Sequence, residues 1–213
     1  MASYEELANS VIRGNAPKVI ELTKSLVESG CDPLEIINQG LIGGMNVVGA
    51  RFKVGEMFVP EVLMAARAMS SGVEIVKPLI AEGDMPSAGK VVLGTVKGDL
   101  HDIGKNLVAM MLESAGFEVL NLGVDISPEK FAEAVKEHQP DVVAMSALLT
   151  TTMLAMKDTI DVLAEEGLRD KVKVIVGGAP ISEEFAQEIG ADGYAPDAAS
   201  ATELCKNLIG QAS

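Results

Sequence analysis

The stretch Gly94-Thr95-Val96-Lys97-Gly98-Asp99-Leu100-His101-Asp102-Ile103-Gly104-Lys105-Asn106 holds one of the chain's two histidines, flanked by carboxylates at positions 99 and 102. An imidazole beside carboxylates is the raw material of a metal site. A zinc ion held by protein alone needs three or four ligands. With two histidines and two distant cysteines, Cys31 and Cys205, the chain offers no such set of nitrogen and sulfur donors, while counting leaves a carboxylate-rich site open. Neither cysteine belongs to a CxxC pair, and both read as buried apolar residues. His138 ends a predicted helix just before Pro140 and reads as solvated. One histidine does suffice for a metal that arrives with its equatorial ligands in a macrocycle, where the axial imidazole is the protein's lever on the metal.

Other familiar chemistries fail on spacing. Gly98 is followed by five residues and then Gly104-Lys105-Asn106, one residue too many for a Walker A loop and with Asn where the magnesium-binding hydroxyl belongs. No GxGxxG string follows the first predicted strand, and a phospho-receiver domain would need an aspartate where the third strand ends in Met145-Ser146. With 31 acidic against 17 basic residues the formal charge is −14, and no Lys/Arg cluster offsets it, so no nucleic acid partner is expected. The opening MASYEELANS lacks a signal-peptide pattern and no apolar stretch reaches the length of a membrane span; a cytoplasmic protein without membrane contact is expected.

The elements that must position His101 follow from periodicity. The 213 residues allow one large domain or two small ones, and a composition 48% hydrophobic but only 3% aromatic leaves the core to Ala, Val, Leu, Ile and 11 Met. Up to Glu82 apolar residues recur at helical spacing, as in Val19, Leu22, Leu26 and in Ile36, Ile37, Leu41. Breaks at Gly14, Gly30 to Pro33 and Val54 to Pro60 predict four helices, with Asp32 as an N-cap before Pro33. The stretch GDMPSAG reads as a linker, giving a helical domain over 1–82, a linker over 83–89 and a second domain over 90–213. There, strands predicted near 91–96, 117–121, 141–146, 172–176 and 192–194 alternate with helices near 103–115, 128–138, 152–166, 182–189 and 198–209. Five βα units imply a parallel sheet covered by helices. Ligands of such sheets bind beyond the carboxyl ends of the strands, so the loops after the first, third and fourth strands are expected to face one space.

Those loops carry a resemblance. The D-x-H-x-x-G pattern from Asp99 to Gly104, followed by Ser146-x-Leu148 and by Gly177-Gly178, resembles the cobalamin-binding motif of methionine synthase and of the corrinoid proteins of anaerobic methyltransferase systems that serve methanol, methylamines or glycine betaine. The resemblance covers nearly the whole chain and implies an α/β fold, with an N-terminal four-helix bundle cap followed by a Rossmann-like, flavodoxin-like domain whose five-stranded parallel sheet binds cobalamin or a related corrinoid. It implies that His101 ligates cobalt in place of the cofactor's own dimethylbenzimidazole. Asp99 would accept a hydrogen bond from the other ring nitrogen. The family's relay ends on a serine; here that position is Thr152, with Thr151 as the alternative. Asp102, Ile103, Gly104 and Leu148 fall within the cofactor-binding motif, Gly104 giving close approach at the helix start. Ser146 and Thr150 match positions whose hydroxyls contact the buried dimethylbenzimidazole, although Thr150 could instead begin or cap the next helix. Gly177 and Gly178 would let the nucleotide tail lie against the backbone, or simply form a turn, and Tyr194 falls on the ligand side of the fifth strand. Residues 51–60, RFKVGEMFVP, resemble the cap segment of methionine synthase, making Phe52, Val59 and Val62 cap residues; the alternative for each is bundle core.

The implied activity is methyl carriage. Cobalt(I) would take a methyl group from a substrate-specific methyltransferase, and methylcobalt(III) would pass it to a second methyltransferase whose acceptor is a thiol or tetrahydrofolate, with a reductive activation protein in support. The chain has no room for the extra domains of methionine synthase, so a free-standing carrier without full turnover of its own is expected. A cobalamin-dependent sensor would need an output domain, yet residues 1–82 show no basic recognition helix. A mutase subunit would need a barrel partner and a deoxyadenosyl upper ligand.

Overall fold

The computed structural model describes residues 2–80 and 87–210, which fall into two compact units. Residues 83–86 of the predicted linker lie outside the described residues.

The first unit is all helical, built from α1 (Tyr4–Ile12), α2 (Ala16–Glu28), α3 (Pro33–Glu35), α4 (Gly43–Lys53) and α5 (Val59–Val76). Short polar side chains start these helices by satisfying amides that have no intrahelical partner. Ser3 Oγ accepts from the Glu6 N–H at 3.1 Å, Asn15 Oδ1 from Lys18 N–H at 3.1 Å, and Asp32 Oδ1 from Leu34 N–H at 2.7 Å with Pro33 opening the helix. A π-helical stretch, Ile36–Ile42, joins α3 to α4 without interruption, so the described residues of this unit form four helical segments, as expected. Nothing in the periodicity announces the widened turns. They fall where Gly40 meets α1, a β-carbon there lying only 2.5 Å from Leu7 Cδ2. Leu7, Val11, Val19, Leu22, Leu26, Ile36, Leu41 and Val48 form the buried stripe that holds the helices together.

The second unit alternates β1 (Lys90–Val96), α6 (Ile103–Ser114), β2 (Glu118–Ile126), α7 (Pro128–His138), β3 (Val142–Ser146), α8 (Leu154–Glu165), β4 (Lys173–Gly177), α9 (Glu183–Glu188), β5 (Gly193–Tyr194) and α10 (Ala198–Leu208). All strand pairs are parallel and their order is β2-β1-β3-β4-β5. This is the flavodoxin-like order, in which the chain reverses direction across the sheet between β1 and β3 and opens a crevice there. The central strands are continuous apolar runs because both faces are covered; Val92, Val143 and Val174 are wholly buried, as is Phe131 of α7.

Two elements differ from expectation. β2 continues five residues past its predicted end at 121, because Asn121, Gly123 and Asp125 are poor strand formers that broke the apolar pattern. α8 starts at Leu154 rather than 152, since residues 150–153 are held in turns by bonds from Thr152 and Met153 amides to Leu149 O. No helix among the described residues is long and apolar enough to cross a membrane.

Candidate functional site

The register of the sheet decides which loops meet. Thr95 pairs with Ser146, and Ser146 with Gly177, so β1, β3 and β4 end side by side and release their loops together.

The first loop begins as a tight turn in which the Asp99 N–H donates to Val96 O at 3.1 Å. Gly98, at φ +82, takes the left-handed position that an L side chain disfavours. The turn drives Asp99 inward, where its carboxylate is completely buried. Burial opposes its charge, but four donors outweigh burial and hold the carboxyl well below the usual carboxylate range. Thr152 Oγ1 donates to Oδ2 at 2.7 Å and the Leu148 N–H at 2.8 Å; His101 Nδ1 lies 2.7 Å from Oδ1 and the His101 N–H 3.1 Å from it. An ionised carboxylate only accepts, so the proton of this contact is on Nδ1 and the Nε2 lone pair is left for another partner. The imidazole itself is about half exposed, at 52%. Its backbone is tied from behind, Thr95 Oγ1 donating to His101 O at 2.9 Å.

Of the two threonines that the sequence offered, Thr152 meets Asp99, while Thr151 is exposed. The Thr152 hydroxyl also lies 3.0 Å from Leu149 O, but the charged acceptor is the nearer one. Because Thr152 is drawn to Asp99, the helix start moves on to Leu154, with Met153 at its N-cap position. Thr150 therefore neither begins nor caps α8; it is exposed in the preceding turn. Ser146 is half-buried at the end of β3.

Both predicted glycines, Gly177 at the end of β4 and Gly178 just after it, have a reason within the chain. A β-carbon on Gly177 would lie 2.8 Å from Ala195 O, and one on Gly178, at φ +135, would lie 1.8 Å from Ala147 O. Gly104 is the opposite case, with nothing within 4 Å of its β-carbon position, so the fold does not close on it. Asp102 is exposed and accepts from Asn106 Nδ2 at 3.0 Å. That amide belongs to a network with no local sequence signature: buried Lys105 donates to Asn106 Oδ1 at 2.6 Å and to Asn121 Oδ1 at 2.8 Å. Burial pushes its ammonium pKa down, with Asp102 opposing. Tyr194 packs against the sheet's apolar core. In the helical unit, Phe52 is half-buried, Val59 is exposed and Val62 is wholly buried.

The donor set suits a flat apolar ligand that carries its own metal. Leu100 and Ile103 are 71% and 83% exposed beside the imidazole in sequence, and Leu148, Leu149 and Leu154 are exposed in the neighbouring loop and helix start. Among the described residues no three His, Cys, Asp or Glu side chains converge to hold an ion by themselves, which removes the carboxylate-rich alternative there. Cys205 is buried, its thiol pushed up to about 12 by burial. Cys31, expected to be buried, is only partly so.

Comparison with known families agrees with this chemistry. Residues 89–203 match the family described as B12 binding domain, and residues 3–77 match a second model of the same description. The chain belongs to the B12-binding corrinoid proteins. It is 45% identical to a corrinoid protein of Desulfitobacterium hafniense, covering 99% of each chain. It is 47% identical to a dimethylamine corrinoid protein of Methanosarcina acetivorans, covering 96% of each. Among solved structures, the methanol:cobalamin methyltransferase complex of Methanosarcina barkeri contains a chain that matches with a TM-score of 0.88 and 32% identity, over 99% of this chain and 80% of that one. The residues that sequence reasoning missed are Thr95 and Asp125, which bond the His101 loop from β1 and β2, and Lys105 and Asn121, which reach it only through Asn106 and Asp102. Only a partner in space reveals them.

Proposed function

We propose that the chain is the cytoplasmic corrinoid methyl carrier of a methyltransferase system, with His101 as the residue that would ligate cobalt. The observation that carries this reading is the unbroken series His101, Asp99, Thr152, in which a half-exposed imidazole is anchored through Nδ1 to a buried carboxylate. A corrinoid, when bound, supplies a cobalt centre able to take up and release a methyl group. The chain's residues do the rest. Asp99 fixes the tautomer and ring plane of His101, as carboxylates behind metal-bound imidazoles do. Thr152 and the Leu148 N–H keep that carboxylate ionised in a buried site. Leu100, Ile103, Leu148 and Leu149 offer apolar surface to a macrocycle, and the space at Gly104 admits it. Asp102, Ser146, Thr150, Gly177, Gly178 and Tyr194 are the further contact candidates on the same domain.

In this reading residues 90–213 bind the cofactor, residues 1–82 form the cap with Phe52 and Val59 as its contact residues and Val62, wholly buried, in the bundle core, and residues 83–89 link the two. The partner is a methyltransferase, as suggested by the methanol:cobalamin methyltransferase complex to which the fold is similar. A substrate-specific methyltransferase loads the carrier, a second one unloads it, and a reductive activation protein restores it. The dimethylamine relative favours a methylamine as donor.

The test is reconstitution of the full chain with hydroxocobalamin, comparing the native protein with His101→Ala. The native spectrum should be that of histidine-ligated cobalamin and the variant's should not. Identical spectra and affinities would remove His101 as the ligand.

A further inference from the structure

β2 overruns its neighbour. Pairing with β1 runs Leu93 to Asn121, Gly94 to Gly123 and Val96 to Ile126, so β2 carries one surplus residue at each of two slips. Bulges of this kind re-aim side chains and cluster beside functional sites. Within the second slip is Asp125, at φ +55, one of two non-glycine residues with positive φ among the described residues. Most L residues avoid that conformation, and Asp and Asn are among the few that take it, helped by hydrogen bonds of their short polar side chains.

The surroundings here are the His101 loop. Asp125 Oδ1 accepts from the Gly98 N–H at 2.7 Å, and the Asp125 N–H donates to Asp99 O at 3.0 Å. These two bonds grip the Lys97–Gly98 peptide and the Asp99–Leu100 peptide, one before and one after the Asp99 amide. We infer that Asp125 is a positioning residue for His101: by clamping the backbone around Asp99, it keeps that carboxylate aligned with Leu148, Thr152 and the imidazole at once. Both bonds go to the backbone of the loop, so Asp125 acts on His101 through Asp99. The inference rests on the reading of His101 as the cobalt ligand, but the clamp itself can be examined without cobalt.

Two substitutions separate the clamp from the backbone shape. Asp125→Gly adopts φ +55 freely and keeps the N–H, losing only the carboxylate. Asp125→Asn tolerates the left-handed region and keeps an oxygen that can accept from Gly98. On the full chain without cofactor, the Gly98 amide should exchange roughly tenfold faster in Asp125→Gly, and the His101 Nδ1–H resonance should broaden; Asp125→Asn should behave like the native chain. Loaded with hydroxocobalamin, Asp125→Gly should bind about tenfold more weakly and show a mixture of ligated and unligated spectra, again rescued by Asp125→Asn. A native Nδ1–H signal and native spectrum in Asp125→Gly would overturn the inference. If instead the native chain and His101→Ala gave the same cobalamin spectrum, the ligand assignment would fall, and the cofactor-free resonance would still decide whether Asp125 positions the imidazole.

Discussion

Thr152 Oγ1 and Asp99 Oδ2 lie 2.7 Å apart although 53 positions separate the two residues in the chain. The contact joins the loop after β1 to the loop after β3, and it exists because Thr95 and Ser146 are paired at the ends of those strands. A carboxylate with no exposed surface stays ionised only when donors surround it. Asp99 has four, and one of them is the imidazole it orients.

Removing the threonine hydroxyl tests how much that carboxylate depends on it. Thr152→Val keeps the shape and leaves Asp99 one donor short in a buried site, which should destabilise the chain by about 1–3 kcal/mol in urea unfolding. Thr152→Ser should retain most of the stability. Equal midpoints for Thr152→Val and the native chain would show that the contact contributes nothing.

Asp99 should leave a signature in acid. Its carboxyl titrates below the usual range when folded, so as pH falls the unfolded chain, with an ordinary value of about 3.9, takes up the proton first. The stability it contributes is therefore complete above that value and is lost beneath it. Asp99→Asn should cost about 3 kcal/mol at neutral pH, since its amide sets a donor against the donors around it. The gap from the native chain should narrow below about pH 4. A gap that stays constant through that range would contradict the assignment of Asp99 as the ionised group.

Gly178 and Gly104 should respond oppositely to alanine. At Gly178 a β-carbon would strike Ala147 O at 1.8 Å in a backbone conformation of φ +135, so Gly178→Ala should lower the melting temperature by many degrees or prevent folding. Gly104→Ala meets no protein atom and should melt within a degree or two of the native chain. Titration with hydroxocobalamin then reads the ligand's side: weaker binding by Gly104→Ala with unchanged melting would mark the space as the cofactor's, and unaltered binding would mark it as plain solvent.

The two thiols should differ in reactivity. Burial raises the Cys205 thiol to about 12, whereas Cys31 is partly exposed. Alkylation of the native chain at mildly alkaline pH should modify Cys31 first, with Cys205 reacting only on unfolding. Mass spectrometry of the peptides would show it, and early labelling of Cys205 would mean that α10 opens readily.

Much of the architecture is local and therefore legible in one dimension. Helical spacing in the first unit, apolar runs alternating with helices in the second, and the Asp99-x-His101 spacing each reflect neighbours a few residues apart, where periodicity and turn chemistry carry the information. The end of β2 was not legible, because Asn121, Gly123 and Asp125 are poor strand formers kept in the sheet by pairing with β1. The π-helical stretch at Ile36–Ile42 was hidden likewise, since its buried residues keep an ordinary helical spacing.

The sequence by itself determined that one histidine, with a carboxylate two residues before it, would leave the end of the first strand of a parallel sheet. Only the tertiary structure chose Thr152 over Thr151, placed Asp125 against Gly98 and Asp99, and tied Lys105 to Asn121. It also gave the Gly177-Gly178 pair a reason in the packing of the chain itself. The physical difference is distance along the chain: hydrogen bonds between loops are set by strand register and bulges, which exist only once the sheet has formed.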